Sequence, residues 1–317
     1  MEMFKESLIK ELGKQLGEEY RFEDVKTQKN NNTILSGIRI TKQGENVSPV
    51  VYVEKDYEEC KKGNKTLEMV ASAIASQMYD NAKVAEIAGK LKDLEFVKDK
   101  LGVALVNYEA NKEALKNRPH TRFLDLAVVY LIKVVVDEIR GTVNVTTDLM
   151  QKWNIDEGTL AEQSFRNMLH RDMNCVIDLS GIVHAALQED TENFLHVLWE
   201  ETKKDMRGLS YLLSNEEHYY GASILLNTPL LDRLATEHNA NLIIYPSSVH
   251  EIIVAFEDDG RRQTMTSKDV EFINAHSVLR EECLSNSVYI YDRVTQEVRI
   301  HEMGAPLKST VKETTEC

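Results

Sequence analysis

Two short stretches put reactive side chains close together along the chain. "RPHTRFLDL" carries His120, Arg122 and Asp125, and "PSSVHEIIV" carries Ser247, Ser248, His250 and Glu251. An imidazole relays protons, a guanidinium grips a carboxylate or phosphate through paired donors, and a hydroxyl beside an imidazole becomes a nucleophile. A small hydrolase or transferase would therefore use His120, Arg122 and Asp125, joined in space by Ser247, Ser248 or His250. Spacing alone does not make the second stretch a dyad. With a strand running through "SVHEIIV", Ser248 and His250 share a face roughly 7 Å apart, too far for a direct bond. Neither serine sits in a G-x-S-x-G elbow. The competing assignment is structural: turn-capping serines at the polar start of a strand, and an Arg122 to Asp125 ion pair that anchors the loop before a buried strand. We expect the structural assignment, with polar clusters holding loops in place. Asn107, Tyr108 and Glu109 are read the same way, as residues that tie a strand end to its neighbour.

No metal or cofactor site is expected. His250 and Glu251 begin the H-E-x-x-H pattern of zinc hydrolases, but Val254 stands where the second histidine is needed, and after His301 and Glu302 the same position is Ala305. Cys60, Cys175, Cys283 and Cys317 stand far apart and form no CxxC pair, so they read as reduced thiols. His170, His184, His196, His218, His238 and His276 show no ligand spacing, and no glycine-rich phosphate loop is present. Trp153 and Trp199 lie on helical patterns and read as core or interface anchors.

The elements that must hold these residues follow from periodicity. "FKESLIKELGKQL" sets Phe4, Leu8, Ile9, Leu12 and Leu16 on one helical stripe. "TILSGIRI" and "VSPVVYVEKD" read as strands around a loop with Gly44, and "TLEMVASAIASQMYDN" as a helix capped by Thr66 and packed through Leu67, Val70, Ile74 and Met78. More helix is expected through "VAEIAGKLKDLEFVKDKL". "GVALVNYE" is a strand and "ANKEALKN" a helical turn. "LDLAVVYLIKVVV" and "TVNVTT" form a hairpin whose apolar first strand must be covered on both faces. "TTDLMQKWNI" and "DEGTLAEQSFRNMLHRD" are helices, and the stretch from Met173 to Arg207 reads as predominantly helical. "LSYLLSN" and "ASILLN" suggest a third hairpin around the turn "EEHYYG", followed by a helix capped by Thr228 with Pro229 in its first turn. "ANLIIYPSS" and "VHEIIVAFED" are strands, "TSKDVEFINAHSVLREECL" a capped helix, and "SVYIYDR" with "EVRIHEM" a last hairpin. A hairpin followed by a helix thus recurs around Gly44, Gly141 and Gly221. The expected fold class is α+β, with mixed or antiparallel sheets built from recurring β-hairpin–helix units and helices packed on them. The regions are 1–118, a middle hairpin with helices over 119–210, a C-terminal α+β region over 211–303, and a mobile tail over 304–317.

The totals bound the function. With 42% hydrophobic and 28% charged residues the composition is that of an ordinary soluble chain, and only 14 glycines and 5 prolines in 317 residues leave little for long linkers. The longest apolar run, Leu126 to Val136, is interrupted by Lys133 and too short to span a bilayer. The acidic first residues do not resemble an export signal. A net charge of −14 opposes general binding to nucleic acid. Three functions stay open: a cytoplasmic protein that binds another macromolecule, with a protein as partner and no chemistry of its own; the hydrolase or transferase above; and an acidic inhibitor that mimics nucleic acid.

"ENVSPVVYVEKDYEECKKG", "LVNYEANKEAL", "RPHTRFLDLAVVY", "LSNEEHYYGASILL", "YPSSVHEIIV" and "LSNSVYIYDR" occur in an order that resembles domain-of-unknown-function family 5688, from the first helix to about Met303. The resemblance implies a cytoplasmic bacterial protein with an α+β fold. It carries no activity, cofactor or catalytic residue onto this chain. The segment between Arg171 and Met206 departs from the family pattern by being longer and more helical.

Overall fold

The computed structural model describes residues 1–44, 48–76, 81–136, 139–171, 174–179, 210–246, 248–257 and 265–301. Ser247, Met78, His184, His196, Trp199 and the tail from Gly304 lie outside the described residues. Contacts divide the chain into two compact units, Met1–Asp172 with Arg280–Glu282, and Met173–Leu279 with Cys283–Cys317. The break falls inside the stretch that sequence assigns to the middle region.

The first unit opens with helix α1 (Glu2–Leu16), then strands β1 (Tyr20–Gln28), β2 (Ile34–Lys42) and β3 (Val50–Tyr52) in an antiparallel sheet of order β1-β2-β3. The stripe on α1 packs as its spacing requires. Leu8 and Leu12 are fully buried against Ile38 and Ile40 of β2 and against Val70, Ala71 and Ile74 of α3 (Leu67–Ser76), while Phe4, Ile9 and Leu16 line the margin. Burying side chains of this size contributes about 1.5–3 kcal/mol each. Lys5 is also buried, and its ammonium donates to both Asp24 carboxylate oxygens at 2.6 and 2.5 Å and to Ser36 Oγ at 2.8 Å, so all three donors are used. Sequence reading missed β1, whose mixed "YRFEDVKTQ" lacks a strong apolar alternation. It also ran the strand after Pro49 through Asp56, whereas the strand stops at Tyr52 and α2 occupies Glu54–Lys61. Thr66 caps α3 through Met69 N–H, and α4 (Asn81–Lys90) and α5 (Leu94–Val97) continue the helical run.

Strand β4 (Leu101–Asn107), the short helix α6 (Lys112–Leu115), β5 (His120–Phe123), β6 (Leu126–Val136) and β7 (Ile139–Asn144) lead into α7 (Thr147–Trp153) and α8 (Glu157–Arg171). β6 organises this sheet. β4 pairs Leu126–Ile132, β5 pairs Leu126–Val129, and β7 pairs Leu131–Val136. A strand has two edges, so β4 takes one and β5 and β7 share the other, end to end. Residues 126–132 are buried on both faces, as the unbroken apolar run demands, and α8 packs over β4 and β6. Gly141 lies within β7 and not at a turn. Thr146 caps α7 through Leu149 N–H, and Trp153 is buried with its indole N–H donating to the Leu91 carbonyl at 2.9 Å.

The second unit is built on one antiparallel sheet of order β13-β12-β10-β11-β9-β8. Its strands are β8 (Asn174–Asp178), β9 (Ser210–Asn215), β10 (Leu242–Tyr245), β11 (Ile252–Phe256), β12 (Tyr289–Asp292) and β13 (Glu297–Ile300), with α9 (Thr228–Glu237) and α10 (Ser267–Ser277) between them. Three expectations are corrected. Residues 174–178, inside the stretch read as helical, form a strand paired with β9; residues 180–209 lie outside the described residues. "ASILLN" is no strand: Gly221–Leu226 forms a buried 3₁₀ turn, because β8 and β11 occupy both edges of β9 and leave a hairpin partner nothing to pair with. The cap of α9 is Asn227, whose side chain accepts from Leu230 N–H at 3.2 Å, in place of Thr228. Antiparallel sheets with helices packed on them make the fold α+β. No helix among the described residues is long and apolar enough to cross a membrane.

Candidate functional site

In the first unit, His120, Arg122 and Asp125 sit on the β5–β6 hairpin. Its loop is only Leu124 and Asp125, since Phe123 pairs with Leu126, and Leu124 takes φ 57, a conformation a leucine rarely adopts. His120 opens β5, and its Nδ1 lies 2.8 Å from the Arg118 carbonyl. A carbonyl only accepts, so the neutral ring carries its proton on Nδ1 and presents Nε2 as an acceptor. The Tyr108 ring stands 6.1 Å from His120, and the Arg122 guanidinium lies over that same ring at 4.5 Å. Arg122 Nε also donates to the Leu124 carbonyl at 3.1 Å, while Tyr108 N–H donates to the Asp125 carbonyl at 3.0 Å. The hairpin therefore gathers His120 and Arg122 around Tyr108 and pins the loop to the end of β4.

In the second unit, β11 begins only at Ile252, so Ser248 and His250 occupy the bend before the strand. Ser248 forms an isolated bridge to Cys283. Its Oγ accepts from the His250 backbone N–H at 3.0 Å, a bond to the main chain and not to the imidazole. His250 Nδ1 accepts from Tyr220 N–H at 3.2 Å, which fixes the neutral ring's proton on Nε2. The His250 carbonyl accepts from Ser214 Oγ at 2.7 Å. These candidates belong to a different compact unit from His120, Arg122 and Asp125.

The structure adds a feature that sequence reading passed over as a plain turn. After β9 the chain runs through Glu216, Glu217, His218, Tyr219 and Tyr220, with positive φ at His218 (49°) and Tyr220 (52°). Non-glycine residues in that region cost energy that the surroundings must offset. They are held: Asn215 Oδ1 accepts from Tyr219 N–H at 3.2 Å, and its Nδ2 donates to the Tyr219 carbonyl at 2.9 Å. The Tyr219 ring stacks on His250 at 5.4 Å and 29° and meets Tyr220 edge-on at 4.9 Å, yet keeps 42% of its surface exposed. Glu216, Glu217 and His218 are exposed beside it. The only signal in the sequence was two tyrosines before a glycine.

A polar cleft of about 350 Å³ lies in the first unit between α8 and the turn before β4, lined by Lys98, Asp99, Gln163, Arg166, Asn167 and His170. Its polar groups serve the fold. Asn167 Nδ2 donates to the Lys98 and Leu101 carbonyls at 2.7 and 2.8 Å, Gln163 donates to Asn167 Oδ1, and Arg166 pairs with Glu162. Among the described residues no group of three or more His, Cys, Asp or Glu side chains is placed to hold a metal ion.

Comparison with curated proteins and with solved structures gives no match. A family model, Family of unknown function (DUF5688), matches residues 1–293 of the 317. Since the match extends from the first helix into the turn after β12 and takes in both polar clusters and the aromatic turn, the chain belongs to this family of unknown function.

Proposed function

We propose that this chain is a non-catalytic cytoplasmic bacterial protein that binds a protein partner through the aromatic turn at 216–220. The observation that carries the reading is Tyr219, exposed on a base made rigid by His250, Tyr220 and the two-sided Asn215 clamp. A large ring whose ordering cost is met before association is the kind of anchor that concentrates binding energy. Glu216 and Glu217 beside it, on a chain of net charge −14, suit a partner that presents lysine or arginine, which would also lie favourably over the tyrosine face. The cytoplasmic setting is supported by cysteines that stand far apart in the sequence with no CxxC motif and by the composition. The bonds of His120, Arg122, Ser248 and His250 to main-chain groups support a holding role for the clusters that a hydrolase would use.

Capture of the tagged protein from its host tests this, with wild type, Tyr219→Ala and the distant exposed-site variant Val294→Ala run side by side. The expected outcome is one stoichiometric protein in the wild-type and Val294→Ala eluates, depleted about tenfold or more with Tyr219→Ala. Equal recovery from all three defeats the reading. Turnover of a small molecule abolished by His120→Ala would replace it with the hydrolase or transferase.

A further inference from the structure

Beside the aromatic turn the structure pairs a thiol with a base. Cys175 of β8 stands directly opposite Ser214 of β9, and opposed residues of an antiparallel pair project to one face. Ser214 Oγ reaches the His250 carbonyl on the side that Gly221 approaches. The turn folds back over that face and brings His218 Nε2 to 3.7 Å from Cys175 Sγ. His218 is exposed and Cys175 half-buried, so solutes reach the pair. The imidazole has a fixed root: the backbone holds φ 49, His218 N–H donates to the Asn215 carbonyl at 3.1 Å, and the next residue sits in the Asn215 clamp.

We propose that Cys175 and His218 form a nucleophilic thiol site that undergoes exchange with low-molecular-weight disulfides. With the ring proton on Nδ1, His218 Nε2 takes the thiol proton and the Cys175 sulfur attacks one sulfur of the disulfide. A new S–S bond forms as the old one breaks. The electron pair of the broken bond leaves on the departing thiolate, which takes the proton back from the imidazolium. Cys175 is thereby oxidised to a mixed disulfide while half of the reagent is reduced to a thiol. The other described cysteines are poorly placed for this. Burial pushes the Cys60 thiol up, with the Asp56 charge reinforcing it, and burial pushes the Cys283 thiol up, so both stay protonated and slow. The site needs no macromolecular partner, so it stands or falls apart from the binding reading.

The test incubates the folded, full-length protein with oxidised glutathione at neutral pH and follows each cysteine by peptide mass spectrometry. Cys175 is expected to form its mixed disulfide about tenfold or more faster than Cys60 and Cys283. His218→Ala and His218→Gln are each expected to slow it roughly tenfold with unchanged circular dichroism. Glutamine keeps a polar side chain of similar reach, so it removes the base without opening the turn. Equal rates at the three cysteines of the unaltered protein overturn the proposal, and so does a Cys175 rate that His218→Gln leaves unchanged or raises. The comparison among cysteines uses no variant, so misfolding of a variant cannot shield the idea.

Discussion

A β-carbon added at Gly221 would stand against Ser214 Oγ, within 2.5 Å of the His250 carbonyl oxygen and 2.7 Å of the Asn215 nitrogen. Two of these three atoms are main chain and cannot swing aside. Gly221→Ala is therefore expected to destabilise the protein by about 3 kcal/mol, because the turn must lift off β9 and give up the Asn215 and His250 bonds that hold it. Denaturant titration of the two proteins measures this, and a loss under about 0.5 kcal/mol would mean that the turn is not seated as described. The contact also shows why the aromatic turn was illegible in the sequence. Nothing local in "EEHYYG" demands positive φ at His218 and Tyr220; the demand comes from Ser214 and His250, which lie 4 and 32 positions from His218 along the chain. The pairing of Cys175 with His218 was hidden for the same reason, since it depends on a strand register that spacing does not encode.

Where an element's cause is local, the sequence shows it. The helix α10 starts at a capping box, with Thr266 Oγ1 accepting from Asp269 N–H at 3.3 Å and Asp269 Oδ2 accepting from Thr266 N–H at 2.7 Å. Thr266→Ala is expected to cost about 1 kcal/mol at neutral pH, read from thermal or denaturant unfolding. The Thr266 backbone N–H and then its hydroxyl hold the Asp269 carboxyl below the usual aspartate range. A carboxyl lowered on folding stabilises above its unfolded value and loses that contribution as pH falls through its folded value, so the gap between wild type and Thr266→Ala should narrow in acid. A gap that widens in acid would contradict the reciprocal cap. Thr66 was legible in the same way, and so was the doubly buried core of β6. The failures have tertiary causes. β1 is identified by its pairing with β2 and not by its own pattern, and Gly221–Leu226 has good strand composition but no free edge to join.

In the whole molecule, the second unit buries tyrosines as core residues. Tyr245 is 4% exposed, and burial pushes its phenol up to about 12. In the unfolded chain the same group ionises near 10, so folding is favoured fully below about 10 and loses that preference as pH rises toward 12. Tyrosinate absorbance and circular dichroism recorded together should therefore show this unit's fold giving way within that interval. Complete tyrosine titration near 10 with the fold intact would show that Tyr245 is open to solvent. Composition gave the acidic character and periodicity the α+β class, whereas the break between units at residue 172 follows from which strands find partners. The arrangement around β6 bears on how the chain is made. β4 and β5 leave the ribosome before the strand that both of them join, so synthesis passes through an interval in which the apolar β4 waits unpartnered until residues 126–132 have emerged. A proline at Val129, which lies opposite both Ala104 and His120, would remove a ladder N–H from the central strand and turn the wait into aggregation.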